Sequence, residues 1–411
     1  MRKFYITLLL LLASGSLTFV RAQEQIRIFK DGNSTRFTNP ELIFSEDATS
    51  FTVADSTYET SKVDSITVVH TVTVTFAGDT AFVDHGHALN VTDTIKGAHV
   101  KLISTNTKSE LEFVLQGEST HGSFTYDGPL KCKFYLNGLK LKSDKGAAID
   151  IKCGKRIDMI LNPGTVNTLE DAADGDHKAA LHCKGHLEVS GSGSLTVTGN
   201  TKHGIDTKEY MEIKKSTGNI TIAKAVSDAM HIGQYFMMNG GNLTISGKQK
   251  GDGLQVETMM LDDEVTPNPD KENNGQMIIR GGLLTITAAE DVTRGIKVPG
   301  DLIVSGGEFR ITASGDGTKG ISVSGNMTVG QETGTTKIQV KATGDTYEYD
   351  DEDDNEESCV GIRVKGNLTI NAGTVNVING KYAFGIRLSK DSNYYKSDEA
   401  VVSAKFSRSS N

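Results

Sequence analysis

Tryptophan is absent from this chain, and proline and cysteine are scarce, at 6 and 4 of 411 residues. Without Trp the chain lacks the largest flat stacking surface, which argues against an aromatic platform for crystalline cellulose. The four cysteines, Cys132, Cys153, Cys183 and Cys359, match no zinc-motif spacing. Cys132, Cys153 and Cys183 fall in phase with aliphatic positions and read as buried thiols, with a Cys153–Cys183 bridge left open. Positive charge is not in excess either. The net charge of −9 argues against a nucleic-acid partner. Past the N-terminus, the hydrophobic runs are only as long as short strands, so no transmembrane segment is expected.

The first 22 residues read as a signal peptide. Arg2 and Lys3 precede an apolar stretch within Ile6 to Val20, and Val20-Arg21-Ala22 offers a small-residue cleavage site before Gln23. Export is therefore expected, to periplasm, cell surface or medium.

Glycine, at 44 residues, is what the chain has in quantity. It accompanies a repeat. A small residue followed by an aliphatic anchor recurs at Ile149, Leu181, Ile205, Met230, Leu254, Ile296, Ile321, Ile362 and Ile386. The period is about 24–25 residues, and the long intervals Leu254–Ile296 and Ile321–Ile362 read as one period plus an insertion. Within each unit apolar and polar residues alternate and Gly-Asn breaks the run, as in Gly320-Ile321-Ser322-Val323-Ser324-Gly325-Asn326-Met327-Thr328-Val329. At about 3.3 Å per residue, one period makes three short strands and three corners. The expected fold is all-β, a right-handed parallel β-helix solenoid. The L-x-x-L-x-L-x-x-N spacing of a leucine-rich repeat is not present.

The expected organisation is a leader or linker at 23–65, cap strands at 66–96, the β-helix at 97–390 and a polar tail or cap at 391–411. Residues 258–275 and the acidic run 344–358 read as surface insertions, the second as a solvated loop. Asn326 and Asn367 hold equal places in the repeat and are expected to form a corner ladder.

Alternation places the residue after each anchor on the outside of the coil. That column reads Asp150, His182, Asp206, His231, Gln255, Lys297, Ser322, Arg363, Arg387. A second column begins at Lys178 and then, two positions before each anchor, reads His203, Asp228, Asp252, Arg294, Lys319. Both turn from acidic or His-rich to basic. Stacked carboxylates repel unless a proton or cation lies between them. Asp206, Asp228, Asp252 and Glu257, with Asp291 and Asp316 from a column five residues before the anchors, are therefore expected calcium ligands, since calcium takes six to eight oxygens. The alternative is that these aspartates serve only corners. His203 and His231 beside carboxylates also admit a transition metal. Together with Arg294, Lys297, Arg363 and Arg387 they make the expected carbohydrate-binding set, because Arg recognises carboxylates bidentately. Tyr210 and Tyr235 hold equal places on adjacent turns and read as corner packing or a stacking surface for one sugar.

Several motifs carry a family resemblance: Gly185 to Asn200 followed by Lys202-His203-Gly204-Ile205, Asn137-Gly138-Leu139, Ser227-Asp228-Ala229-Met230-His231 and Gly251-Asp252-Gly253-Leu254. Over roughly residues 66–390 the chain resembles secreted bacterial carbohydrate-binding proteins with a polysaccharide-lyase-like right-handed β-helix. The resemblance implies binding of plant cell-wall polysaccharide, calcium on the coil and similarity to pectate lyases. Asp228 and Asp252 match the family's Asp-Gly-Ile-type motif. Ala229-Met230 and Arg294-Gly295-Ile296 depart from it.

The function expected from these features is noncatalytic, calcium-associated binding of an acidic polysaccharide on the outer face. One alternative is a polysaccharide lyase acting by β-elimination, with Lys297 or Arg294 as base. The other is an adhesive or structural solenoid with no sugar ligand.

Overall fold

The structure is a computed structural model that describes residues 25–31, 33–38, 41–86, 88–108, 110–330, 336–349 and 355–409. The signal peptide expected at 1–22 lies outside the described residues. Among the described residues there is no α-helix, and no helix long and apolar enough to cross a membrane.

The anchors stack in one parallel sheet. In register run Phe124, Ile149, Leu181, Ile205, Met230, Leu254, Ile296, Ile321, Ile362, Ile386 and Phe406, each opposite the next. Leu254 pairs directly with Ile296, and Ile321 with Ile362, so the long intervals are single rungs carrying insertions. A second face stacks Ile157, Leu187, Met211, Phe236, Met277, Leu302, Met327 and Leu368. A third stacks Leu195, Ile220, Leu243, Leu284, Phe309, Ile338 and Val375. The fold is a parallel β-helix. Its three inward columns share one continuous core, in which each fully buried aliphatic contributes about 1.5–3 kcal/mol.

Local chemistry sets the corners. Gly241, Gly282, Gly307 and Gly373 turn the chain into the third face at φ of 77°, 97°, 92° and 92°, a region that side chains disfavour. The small residue before each anchor has a different cause. A Cβ on Gly295 would lie 2.6 Å from the carbonyl oxygen of Gly320, and one on Gly320 2.6 Å from that of Gly361. The next rung leaves no room there. The Asn ladder is also present: Asn326 Oδ1 accepts the Asn367 N–H (2.9 Å) and Asn367 Oδ1 accepts the Asn393 N–H (2.8 Å).

The N-terminal end is more ordered than the leader or linker expected from the sequence. Residues 25–69 hold antiparallel strands, not a bare linker: Gln25–Lys30 pairs with Asn33–Thr38 and with Ser65–Val69. Ile26, Ile28, Phe51, Val53 and Val63 form their own small core. The boundary at 65/66 thus falls inside a strand, and the coil proper is joined by Thr71–Ala77, which pairs with Leu111–Ser119. At the other end Tyr394–Lys396, Ala400–Ser403 and Phe406–Arg408 add a further parallel rung. Their apolar positions continue the inward columns. All four cysteines are buried free thiols, and burial pushes the Cys183 thiol up to about 12.

Candidate functional site

The outward column following the anchors is in register from Asp150 to Arg387. The second column is not an exposed one. His203 and Lys319 are each 2% exposed, Asp252 6% and Asp228 8%. Lys178 is not part of it, because Ala179 is the residue opposite His203. Asp228 and Asp252 lie in the bends before the strands Met230–Ile232 and Leu254–Val256, so such a residue can meet the outer column of its own rung. Asp228 Oδ2 lies 3.1 Å from His231 Nδ1 in the same rung. The inner column is covered by the outer one.

Three histidines and three carboxylates interleave on this strip. His182 Nδ1 is 2.7 Å from Asp206 Oδ2, and His203 Nδ1 is 3.4 Å from Asp228 Oδ2. His231 reaches Asp228 through Nδ1 and Glu257 through Nε2 at 3.3 Å. The rings of His203 and His231 stack with centroids 4.5 Å apart. Burial opposes charge on His231, but hydrogen bonds to Asp228 and Glu257 prevail and raise its pKa to about 9. His203 is pushed down to about 4 by burial and by the neighbouring His231.

The other oxygens of the stacked aspartates serve the backbone. Asp228 Oδ1 accepts the Asp252 N–H, and Asp252 Oδ1 accepts the Arg294 N–H, both at 2.8 Å. Asp252 Oδ2 faces Lys297 Nζ at 3.3 Å. Asp291 and Asp316 do the same work at another corner, accepting the N–H groups of Asp316 (2.8 Å) and Asp345 (2.7 Å). This donor set does not fit a calcium shell. On the strip from Asp206 to Glu257 the remaining carboxylate oxygens face imidazoles and an ammonium, where a hard ion requires converging oxygens. Lys297 supplies at Asp252 the positive charge that stacking demands.

The basic end is denser than the sequence implied. Lys319 Nζ is buried against Glu357 Oε1 and 2.9 Å from the Gly317 carbonyl oxygen. Arg294 Nη2 is 3.5 Å from the same Glu357 oxygen. Burial, with Arg294, Arg363 and Arg387 nearby, brings Lys319 down to about 7. Arg387 stacks over Phe384 at 4.7 Å and donates to Ser358 Oγ at 3.2 Å, while its Nε is buried without a partner. Among the described residues no carboxylate forms an ion pair with Arg363 or Arg387. Sequence reasoning missed Glu357. It sits in the acidic insertion, whose described base is a short ribbon pairing Tyr347 with Glu357. Residues 350–354 lie outside the described residues.

The two tyrosines are corner packing. Tyr210 lies between His186 and Tyr235, with centroids 4.2 and 4.6 Å away, so both of its faces are covered. Beside it, Lys131, Lys155, Arg156, His186 and Lys271 line an open groove of about 600 Å³.

A continuous β-helix with one polar strip down a sheet is a scaffold for an elongated ligand. Residues 96–384 match the family described as carbohydrate-binding domain-containing protein, and the chain belongs to that family. A carbohydrate-binding domain-containing protein of Acetivibrio thermocellus is 30% identical over 95 residues, which is 21% of this chain and 32% of that protein. A solved polysaccharide lyase-like protein from C. thermocellum, in a gadolinium derivative, is 21% identical. It aligns with a TM-score of 0.47, covering 65% of this chain and 96% of its own. The family read from the motifs above is the one matched.

Proposed function

We propose that this chain is an exported, noncatalytic polysaccharide-binding protein whose anchor-sheet face takes an acidic glycan, with carboxylated sugars at its basic end. One observation carries the reading. Arg363 and Arg387 are in register on adjacent rungs, beside Lys319 and Arg294, and among the described residues Glu357 is the one carboxylate that pairs within that group. Adjacent rungs lie about 4.8 Å apart, close to the length of one pyranose unit. A polymer lying along the coil axis would therefore meet about one rung per sugar. Arg offers planar, bidentate recognition of each carboxylate.

The elimination alternative is less well supported. Its candidate bases are engaged: Lys297 with Asp252 and Gln255, Arg294 with Glu357 and the Val292 carbonyl oxygen.

Affinity electrophoresis through gels of polygalacturonate, its methyl ester and a neutral glucan tests the proposal. Retention by the acidic polymer alone, lost in Arg363→Ala/Arg387→Ala, is the expected result. Equal retention by the ester, or retention unchanged in the double variant, would overturn it.

A further inference from the structure

Where the acidic end fails to fit calcium, it fits another ion. We propose that His203, Asp206 and His231 form a binding site for a transition metal of the Zn2+ class. Each offers one donor atom, and these atoms all lie within 4.8 Å of one another. Bonds of about 2.0–2.2 Å to a tetrahedral ion put its donors roughly 3.3–3.6 Å apart, so the side chains would close in around the ion on binding. The backbone fixes the arrangement. His203 and Asp206 flank the anchor Ile205 on one rung, and His231 is opposite Asp206 on the next.

A second, independent observation points to a ligand. His203 is 2% exposed and its Nδ1 is buried without a hydrogen-bond partner, although Asp228 Oδ2 is 3.4 Å away. Leaving a buried polar atom unpaired costs about 1–3 kcal/mol, and a metal bond would remove that cost. The charge balance agrees. Asp206, Asp228 and Glu257 surround the histidines, and among the described residues no Lys or Arg forms an ion pair with any of the three. Their ion-pair contacts are with His182, His203 and His231. A divalent cation would neutralise them.

The donor types select the ion. Two imidazoles and one carboxylate suit Zn2+, Ni2+ or Co2+, and not an all-oxygen ion. Outer contacts of the kind that orient metal ligands are also present: His182 on Asp206 at 2.7 Å and Glu257 on His231 Nε2 at 3.3 Å. His231 Nδ1 would then give up its proton and its 3.1 Å contact with Asp228 Oδ2 to bind the ion. The site is apart from the Arg363–Arg387 end and does not rest on the glycan reading.

The test is calorimetric titration of tag-free, chelator-stripped full chain with Zn2+ and, separately, Ca2+. Saturable binding of one Zn2+ per chain, not displaced by Ca2+, is expected. It should be lost in His203→Ala/His231→Ala, kept in Arg363→Ala/Arg387→Ala, and weakened about 10- to 100-fold in His182→Gln. Because His203 is buried, the unaltered chain supplies an independent readout. Bound Co2+ should show the visible absorption of a nitrogen-ligated, low-coordinate ion, and Zn2+ should abolish it. Absence of saturable Zn2+ and Co2+ binding would overturn the site, as would binding unchanged in a folded double variant or Ca2+ displacing Zn2+.

Discussion

Asp228 and His231 are three residues apart in one rung, yet Asp228 Oδ2 lies 3.1 Å from His231 Nδ1. Regular strand alternation would put them on opposite faces. Asp228 lies in the bend before the strand Met230–Ile232, where alternation no longer holds, and so reaches the outward-facing His231.

His203 and His231 give the metal-free protein two pH-dependent contributions to stability of opposite sign. His203, depressed to about 4, stays neutral in the fold while the unfolded chain takes up a proton below about 6.5. Its contribution makes stability rise with pH between about 4 and 6.5. His231, raised to about 9, holds a proton that the unfolded chain has released. Its contribution makes stability fall between about 6.5 and 9. Lys319, brought down to about 7, contributes a rise above that pH which opposes the His231 limb, so the two histidines are read from the difference between parent and variant profiles in urea titrations of chelator-treated protein. His231→Gln should remove the falling contribution and His203→Gln the rising one. A profile unaffected by both substitutions would refute the assignment.

The corner aspartates should be replaceable. Asp291 and Asp316 each use one oxygen to accept a backbone N–H, and an amide oxygen accepts equally well. Asp291→Asn/Asp316→Asn is expected to change stability by no more than about 0.5 kcal/mol, with or without calcium. A larger loss confined to calcium-containing buffer would restore the calcium reading for that corner.

Glycine before an anchor should resist even a methyl group. In Gly320→Ala the added Cβ would fall 2.6 Å from the Gly361 carbonyl oxygen. Overpacking of that kind costs about 1–3 kcal/mol. Denaturant midpoints measure it, and a neutral result would mean that the rungs slide apart easily.

The Asn ladder should matter through the partner it leaves behind. Asn326→Ala strands the Asn367 N–H now bonded at 2.9 Å. The residue is exposed, so water replaces part of the bond, and a loss of about 0.5–1.5 kcal/mol is expected. Asn326→Asp keeps the acceptor and should lose less.

The coil itself was legible in the sequence. Anchors from Ile149 to Ile386 recur at a fixed period because every rung must present an aliphatic to the same column. The register at each of them follows from counting, insertions included. The outer column from Asp150 to Arg387 was equally legible, because it follows each anchor by one residue. What alternation could not supply was the contact of the buried residues two before the anchors with the outer column, as Asp228 makes with His231. Asp228 and Asp252 lie in the bends just before Met230–Ile232 and Leu254–Val256, where strand alternation no longer holds. Nor could spacing show that Asp228 and Asp252 divide their oxygens between a backbone N–H and a histidine or lysine. Glu357 lies 38 residues from Lys319 in the chain and meets it only when an insertion folds back. Sequence period determined the scaffold, since stacking requires repetition. The tertiary structure decided which polar groups neutralise one another, because that depends on distances between rungs that one rung's sequence does not contain.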